Sequence, residues 1–169
     1  MSFTVSIIDE LVACQKRIVE APAREFKEEN RHRRKDMRLE AAENPERLFS
    51  VFIRQSTEFA EDFSLGLVYL SHEGRRMTMI RYNGQHDQSN DPFDQAKTHF
   101  QYHIHKATPD NLNNGCYDKH PAASTGDYAS FDEATMAFLA AIGLRSEDIA
   151  AHFPGMEFLP LFRDLGSSP

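Results

Sequence analysis

The chain has 169 residues, 40% of them apolar and 27% charged, with a formal net charge of −7. That length suits one domain, 1–169, which buries roughly two-thirds of its unfolded surface on folding. The composition excludes the disordered class, and no run approaches the ~20 apolar residues of a membrane span. The start MSFTVSIIDE lacks the basic and apolar regions of a signal peptide, so the expectation is a cytoplasmic protein that contacts no membrane. The acidic balance excludes wholesale binding to a polyanion, which needs a basic surface. Two cysteines, Cys14 and Cys116, are too few for a disulfide framework or a cysteine zinc site.

In chain order, Ile8, Leu11, Val12, Ile18 and Val19 recur at helical spacing. They predict a helix over 7–20, capped by Ser6 with Asp9 and ended at Ala21–Pro22, within a helical N-terminal segment 1–30. RHRRKDMR, Arg31–Arg38, opens a strand over 31–41, and its charge fits a solvated sheet edge better than a phosphate-binding stripe. RLFSVFIRQS (47–56) and FSLGLVYL (63–70) are strands by β-branched and aromatic content. Gly66 in the second signals a bulge or the close approach of another element. Ser71–Gly74 is a hairpin turn to RMTMIRYN (76–83). A polar loop over 84–95 leads to a strand over Thr98–Lys106, so that the sheet occupies 31–107. Ser130 and Glu133 cap the helix FDEATMAFLAA, Gly143 ends it, and Ser146 caps a short last helix. C-terminal helices and an apolar tail then fill 130–169. The predicted fold is α+β: an antiparallel meander of four to five strands with an N-terminal helix and C-terminal helices on one face.

Chemistry concentrates in Arg81–His105. Alternation in THFQYHIHK sends Phe100, Tyr102 and Ile104 to the core and His99, Gln101, His103 and His105 to the opposite face. Arg81 and Asn83, or else Tyr82, join that face according to register, and His86 follows close behind. Arg54 adds a cation that suits a phosphate fork or a structural ion pair. Three readings stand. One is histidine acid–base chemistry on a phosphodiester, with arginine stabilising the developing charge and no metal required. Another is a metal centre, zinc or iron, on His99, His103 and His105 with His86 or Asp87. The third is a solvated polar strand face. Several known motifs are absent. Ala107 stands where a histidine-triad hydrolase has its third alternating histidine. Two-histidine phosphoesterases need two His-x-Thr/Ser motifs, whereas Thr108 is three residues beyond His105 and no second copy is present; nor is there a Gly-rich phosphate loop, His-Glu-x-x-His helix or Gly-x-Ser-x-Gly elbow.

FSVFIRQS (49–56), FSLGLVYL (63–70), RYNG (81–84) and HIHKAT (103–108) together resemble an uncharacterised family of small bacterial proteins over residues 7–145. That resemblance implies no activity or cofactor. A shorter, gapped stretch is similar to TumE-type toxin proteins, which join a sheet to a Tyr-Asp/Asn segment and a histidine-rich stretch. It implies an RNA-directed toxin or a toxin–antitoxin protein partner, and nominates Arg81, Tyr82, Asn83, His86, His103 and His105. From a different class, a non-catalytic interaction module, antitoxin-like or phage-derived, is the competing expectation.

Overall fold

The computed structural model describes residues 2–86 and 101–155. In chain order the elements are α1 (Val5–Ala13), β1 (Lys16–Glu20), β2 (Lys27–Glu29), β3 (His32–Ala41), β4 (Leu48–Ser56), β5 (Phe63–Leu70), β6 (Arg76–Asn83), β7 (His103–Lys106), α2 (Pro109–Asn113), β8 (Ala122–Ser124), α3 (Phe131–Ala141) and α4 (Ser146–His152). The fold is α+β. Every strand pair is antiparallel, and the sheet runs β1-β3-β4-β5-β6-β7-β8 with β2 also on β3. The meander β3 to β7 is as expected, but the described sheet has eight strands rather than four or five. The additions are β1, β2 and β8, short strands of three to five residues that carry no hydrophobic alternation of their own.

The predicted 7–20 helix is two elements. Thr4, not Ser6, caps α1, its hydroxyl accepting from the Ile7 N–H, and the helix stops at Ala13. The β-branched pair Ile18-Val19 continues as strand β1 against β3, so segment 1–30 is not wholly helical. β2 and β3 join through Asn30-Arg31, both at positive φ (51° and 63°), the backbone of a type I′ hairpin turn. β3 is therefore not an edge strand. β2 covers its start and β1 its end, and its cations are engaged in pairs such as Arg38–Glu20 at 3.4 Å. In the second half, Ser130 caps α3 as expected, accepting from the Glu133 N–H, while Glu133 reaches back to the Ala129 N–H. Arg145, rather than Ser146, is the N-cap of α4, with no side-chain capping bond.

One apolar cluster unites the elements. Ile8, Leu11 and Val12 of α1 and Met136, Phe138 and Leu139 of α3 lie on the same sheet face as Leu39, Val51, Leu65 and Tyr82. Lys16 ties this arrangement together and is completely buried. Its ammonium donates to the carbonyls of Val12 (2.8 Å), Cys14 (3.0 Å) and Ile142 (2.9 Å), and lies 4.7 Å from the Phe49 ring centroid. These are the C-terminal ends of α1 and α3, where unpaired carbonyls and the negative end of the helix dipole favour a cation. Burial lowers the Lys16 pKa, since removing the ammonium from water penalises the charged form. Gly143 permits the approach: at φ +77°, its Cβ would stand 2.3 Å from the Cys14 oxygen.

Lys16→Met keeps the aliphatic stem but strands three buried carbonyls. It should lower the unfolding free energy by about 3 kcal/mol or more. Urea denaturation measures this, and a loss under about 1 kcal/mol would mean the carbonyls find other partners.

Candidate functional site

In an antiparallel pair, directly opposed residues place their side chains on the same face. The register therefore sorts the candidates without ambiguity. Arg34, Arg54, Ser64, Asn83, His103 and Ser124 form one transverse row across β3 to β8. Asp36, Phe52, Gly66, Arg81, His105 and Ala122 form the next. Both rows lie on the face opposite α1 and α3, since the alternating set Ile53, Leu65, Tyr82 and Ile104 faces the helices.

A bulge in β6 makes this possible. Leu67 pairs with Ile80 and Val68 with Thr78, which leaves Met79 as an extra residue. Met77, Met79, Ile80 and Tyr82 all enter the core, so the outward set changes from Arg76 and Thr78 to Arg81 and Asn83. Gly84 closes the strand against β5: its N–H donates to the Phe63 carbonyl at 2.9 Å, and a Cβ there would meet the Glu61 oxygen.

The histidine strand keeps the predicted alternation but not the predicted burial. His103 and His105 share the outward face, yet they are 0% and 6% exposed, while Tyr102 and Ile104 are only half-buried against the core. The two histidines, expected on a polar face open to solvent under the third reading, are thereby buried. Phe100 and His99 lie outside the described residues, as does Asp87, and the described part of the strand begins at His103.

Each imidazole is anchored through Nδ1. His103 Nδ1 is 2.8 Å from the Gln101 carbonyl and His105 Nδ1 is 2.7 Å from the His120 carbonyl. Carbonyls only accept, so both rings carry the Nδ1 proton and turn Nε2 towards the face. The Asn83 amide nitrogen donates to His103 Nε2 at 3.1 Å, and the Asn83 oxygen accepts from the Ser64 hydroxyl at 2.8 Å. His86 joins from the chain after β6: ring centroids are 5.2 Å apart for His86–His103 and 5.1 Å for His103–His105. The Tyr128 hydroxyl lies 2.9 Å from both the Asn83 and His103 carbonyls and serves both with one proton. Its burial pushes the phenol pKa well above the ordinary value, which keeps that proton in place.

The structure thus brings Arg54, Arg81, Asn83, His86, His103 and His105 to one face, and sends Tyr82 to the other. Arg54 is exposed, and none of the ion pairs among the described residues involves it. Its guanidinium instead lies 5.2 Å from the Phe52 ring centroid. Sequence reasoning missed Phe52, Ser64 and His120. The period of two would have placed Phe52 beside Arg54, and no local pattern marks His120. Among the described residues, no group of three His, Cys, Asp or Glu is arranged to hold a metal ion.

The outward face also carries an excess of cations. The outward strand face carries Arg17, Lys27, Arg34, Arg38, Arg54, Arg76 and Arg81 against Glu20, Glu29, Asp36 and Glu40. Among the described strand residues that is seven cations to four acids, in a chain whose net charge is −7. No helix among the described residues is long and apolar enough to cross a membrane. Comparison with protein-family models, with curated proteins and with solved structures finds no match to this chain.

His120, whose carbonyl orients His105, gives the site a pH-dependent support. Its Nε2–H donates to the Thr78 carbonyl at 2.8 Å and its Nδ1 faces the Asn111 amide at 3.4 Å. Burial, with a smaller contribution from Arg81, lowers its pKa from 6.5. The unfolded chain then binds the proton first, so the stability His120 contributes is present above pH 6.5 and is lost as pH falls through the lowered value. The slope is at most about 1.4 kcal/mol per pH unit for one proton. Unfolding titrations from pH 8 downwards should show wild type losing stability more steeply below pH 6.5 than His120→Gln. Parallel curves would remove His120 from this role.

Proposed function

We propose that this chain is a small nucleic-acid-directed protein that cleaves single-stranded RNA without a metal, using the outward sheet face. The observation that carries this reading is the pair of rows that sets His103, His105 and Asn83 beside Arg81, with Arg54 further along the row of His103, on a strand face that carries seven cations and four acids. An acidic protein needs only such a local patch to meet a polyanion.

The chemistry follows from general acid–base catalysis. One imidazole, neutral at Nε2, takes the proton from the ribose 2′-hydroxyl. The 2′-oxygen attacks phosphorus and the bond to the 5′-oxygen breaks. The other imidazole, charged, protonates that leaving oxygen, while the arginines stabilise charge on the phosphoryl oxygens. The Nδ1 anchors suit this scheme, because they hold both rings by the nitrogen that does no work.

A second reading is a non-catalytic interaction module, antitoxin-like or phage-derived, and the complete burial of His103 favours it. Under that reading the histidines hold β6 and β7 together and the protein partner meets the exposed arginines.

A cleavage assay on single-stranded RNA in chelator separates the two. The expected result is cleavage with a bell-shaped pH profile, since one imidazole must start neutral and the other charged. His103→Ala and His105→Ala should each cost roughly 10²–10⁴-fold, the usual worth of a general acid or base. Wild type and the double variant equally inert, both folded, would discard the nuclease in favour of the interaction module.

A further inference from the structure

Phe52 is half-buried at the centre of the outward face, where the row leads on to Arg81 and His105. Its position depends on Gly66, its cross-strand neighbour. A Cβ on Gly66 would stand 2.2 Å from Phe52 Cζ and 2.3 Å from Cε1, so the far end of the ring occupies the space of the missing side chain. The ring reaches across β5 towards the histidine rows. The apolar core lies on the other face, so this placement serves no packing of α1 or α3. Arg54, exposed and two residues along the strand, holds its guanidinium 5.2 Å from the ring centroid. An aromatic ring on a sheet face with a guanidinium beside it suits an unpaired base, because every base has a π-face and arginine meets the adjoining phosphate.

We propose that Phe52, laid over Gly66 and flanked by Arg54, is a stacking platform for one base of a single-stranded RNA. The inference rests on the reading of this face as RNA-directed and adds the subsite that holds the strand. It does not depend on cleavage. The occupant is chosen by charge as well as shape, since the same face carries the excess of arginine and lysine.

The test is binding of the full chain to a labelled 2′-O-methyl RNA strand in chelator, followed by fluorescence anisotropy. That strand lacks the nucleophilic hydroxyl and stays intact. Phe52→Leu should weaken binding roughly 5- to 100-fold, the effect of removing one base–aromatic stack. Phe52→Trp should bind within about 3-fold of wild type, because the π-surface is kept. Gly66→Ala, which displaces the ring without touching the strand, should weaken binding in the same direction. The salt dependence separates the roles: Phe52→Leu should leave the slope unchanged, and Arg54→Ala should reduce it by about one phosphate contact. An abasic strand of equal length should bind wild type more weakly than the base-bearing strand, and Phe52→Leu should no longer distinguish them.

Binding by Phe52→Leu within about 2-fold of wild type, with the variant folded, overturns the platform, since a stacked base is worth more than that. So does equal affinity of wild type for the two strands, or no affinity for either. Loss of cleavage in the histidine variants with Phe52→Leu binding normally would sink the platform and leave the nuclease standing. Binding that depends on Phe52 in a protein that cuts no RNA would do the reverse.

Discussion

An ammonium group surrounded by three main-chain carbonyls decides which side of this sheet is packed and which is left for chemistry. Lys16 leaves the end of α1, enters the core, and collects the carbonyls of Val12, Cys14 and Ile142. Two helix ends would otherwise be buried with unsatisfied acceptors, which costs more than an ordinary hydrogen bond contributes. The same residue starts β1, and its N–H donates to the Gly143 carbonyl at 3.0 Å. Sheet edge, α1 and α3 are thus joined at one point. Both helices are held to one face, and the rows of arginine and histidine fall on the other.

The packed face was readable from sequence because it obeys simple periods. Phe49, Val51 and Ile53 alternate inward as a strand should, and Met136, Phe138 and Leu139 follow a helix that Ser130 and Glu133 announce. The pairing of His103 and His105 was readable for the same reason. Elements stabilised by distant partners were not. Residues 16–20 carry apolar side chains that also satisfy a helical period, and only their partner β3 makes them a strand. β2 exists because Asn30 and Arg31 both take positive φ, an uncommon choice for Arg. The basic run Arg31–Arg38 looked like an exposed edge because sequence shows charge but not coverage. In the fold Lys35 is buried and donates to the Arg24 carbonyl at 2.8 Å.

The candidate site was legible as a list of residues and illegible as an arrangement. His103, His105, Arg81 and Asn83 stand out by type, but their burial does not follow from composition. Ordinary polar side chains on a strand face water, whereas His103, Asn83 and Ser64 are matched one to one: imidazole to carbonyl, amide to imidazole, hydroxyl to amide. A chain of that kind is satisfied without water, which is why it can be buried at little cost. The supporting groups Ser64 and His120 lie 39 and 17 residues from His103 and share no motif with it. Only the fold puts them in reach.

The extra residue in β6 carries a consequence for how this family of shapes can change. Met79 is the one residue of β6 beyond plain alternation: it joins Met77 and Ile80 in the core, while Thr78 before it and Arg81 and Asn83 after it keep the outward face. Deleting Met79 would remove the bulge and leave Arg81 and Asn83 outward in a regular strand. A residue inserted after Ile80, where no bulge absorbs it, would instead exchange inside and outside for the rest of the strand, burying the Arg81 guanidinium and turning Tyr82 outward. Substitutions can tune such a site gradually, but insertions and deletions beyond the bulge meet it as a two-valued parity. A lineage holding this face intact should therefore tolerate varied side chains in β6 while conserving the number of residues that follow the bulge.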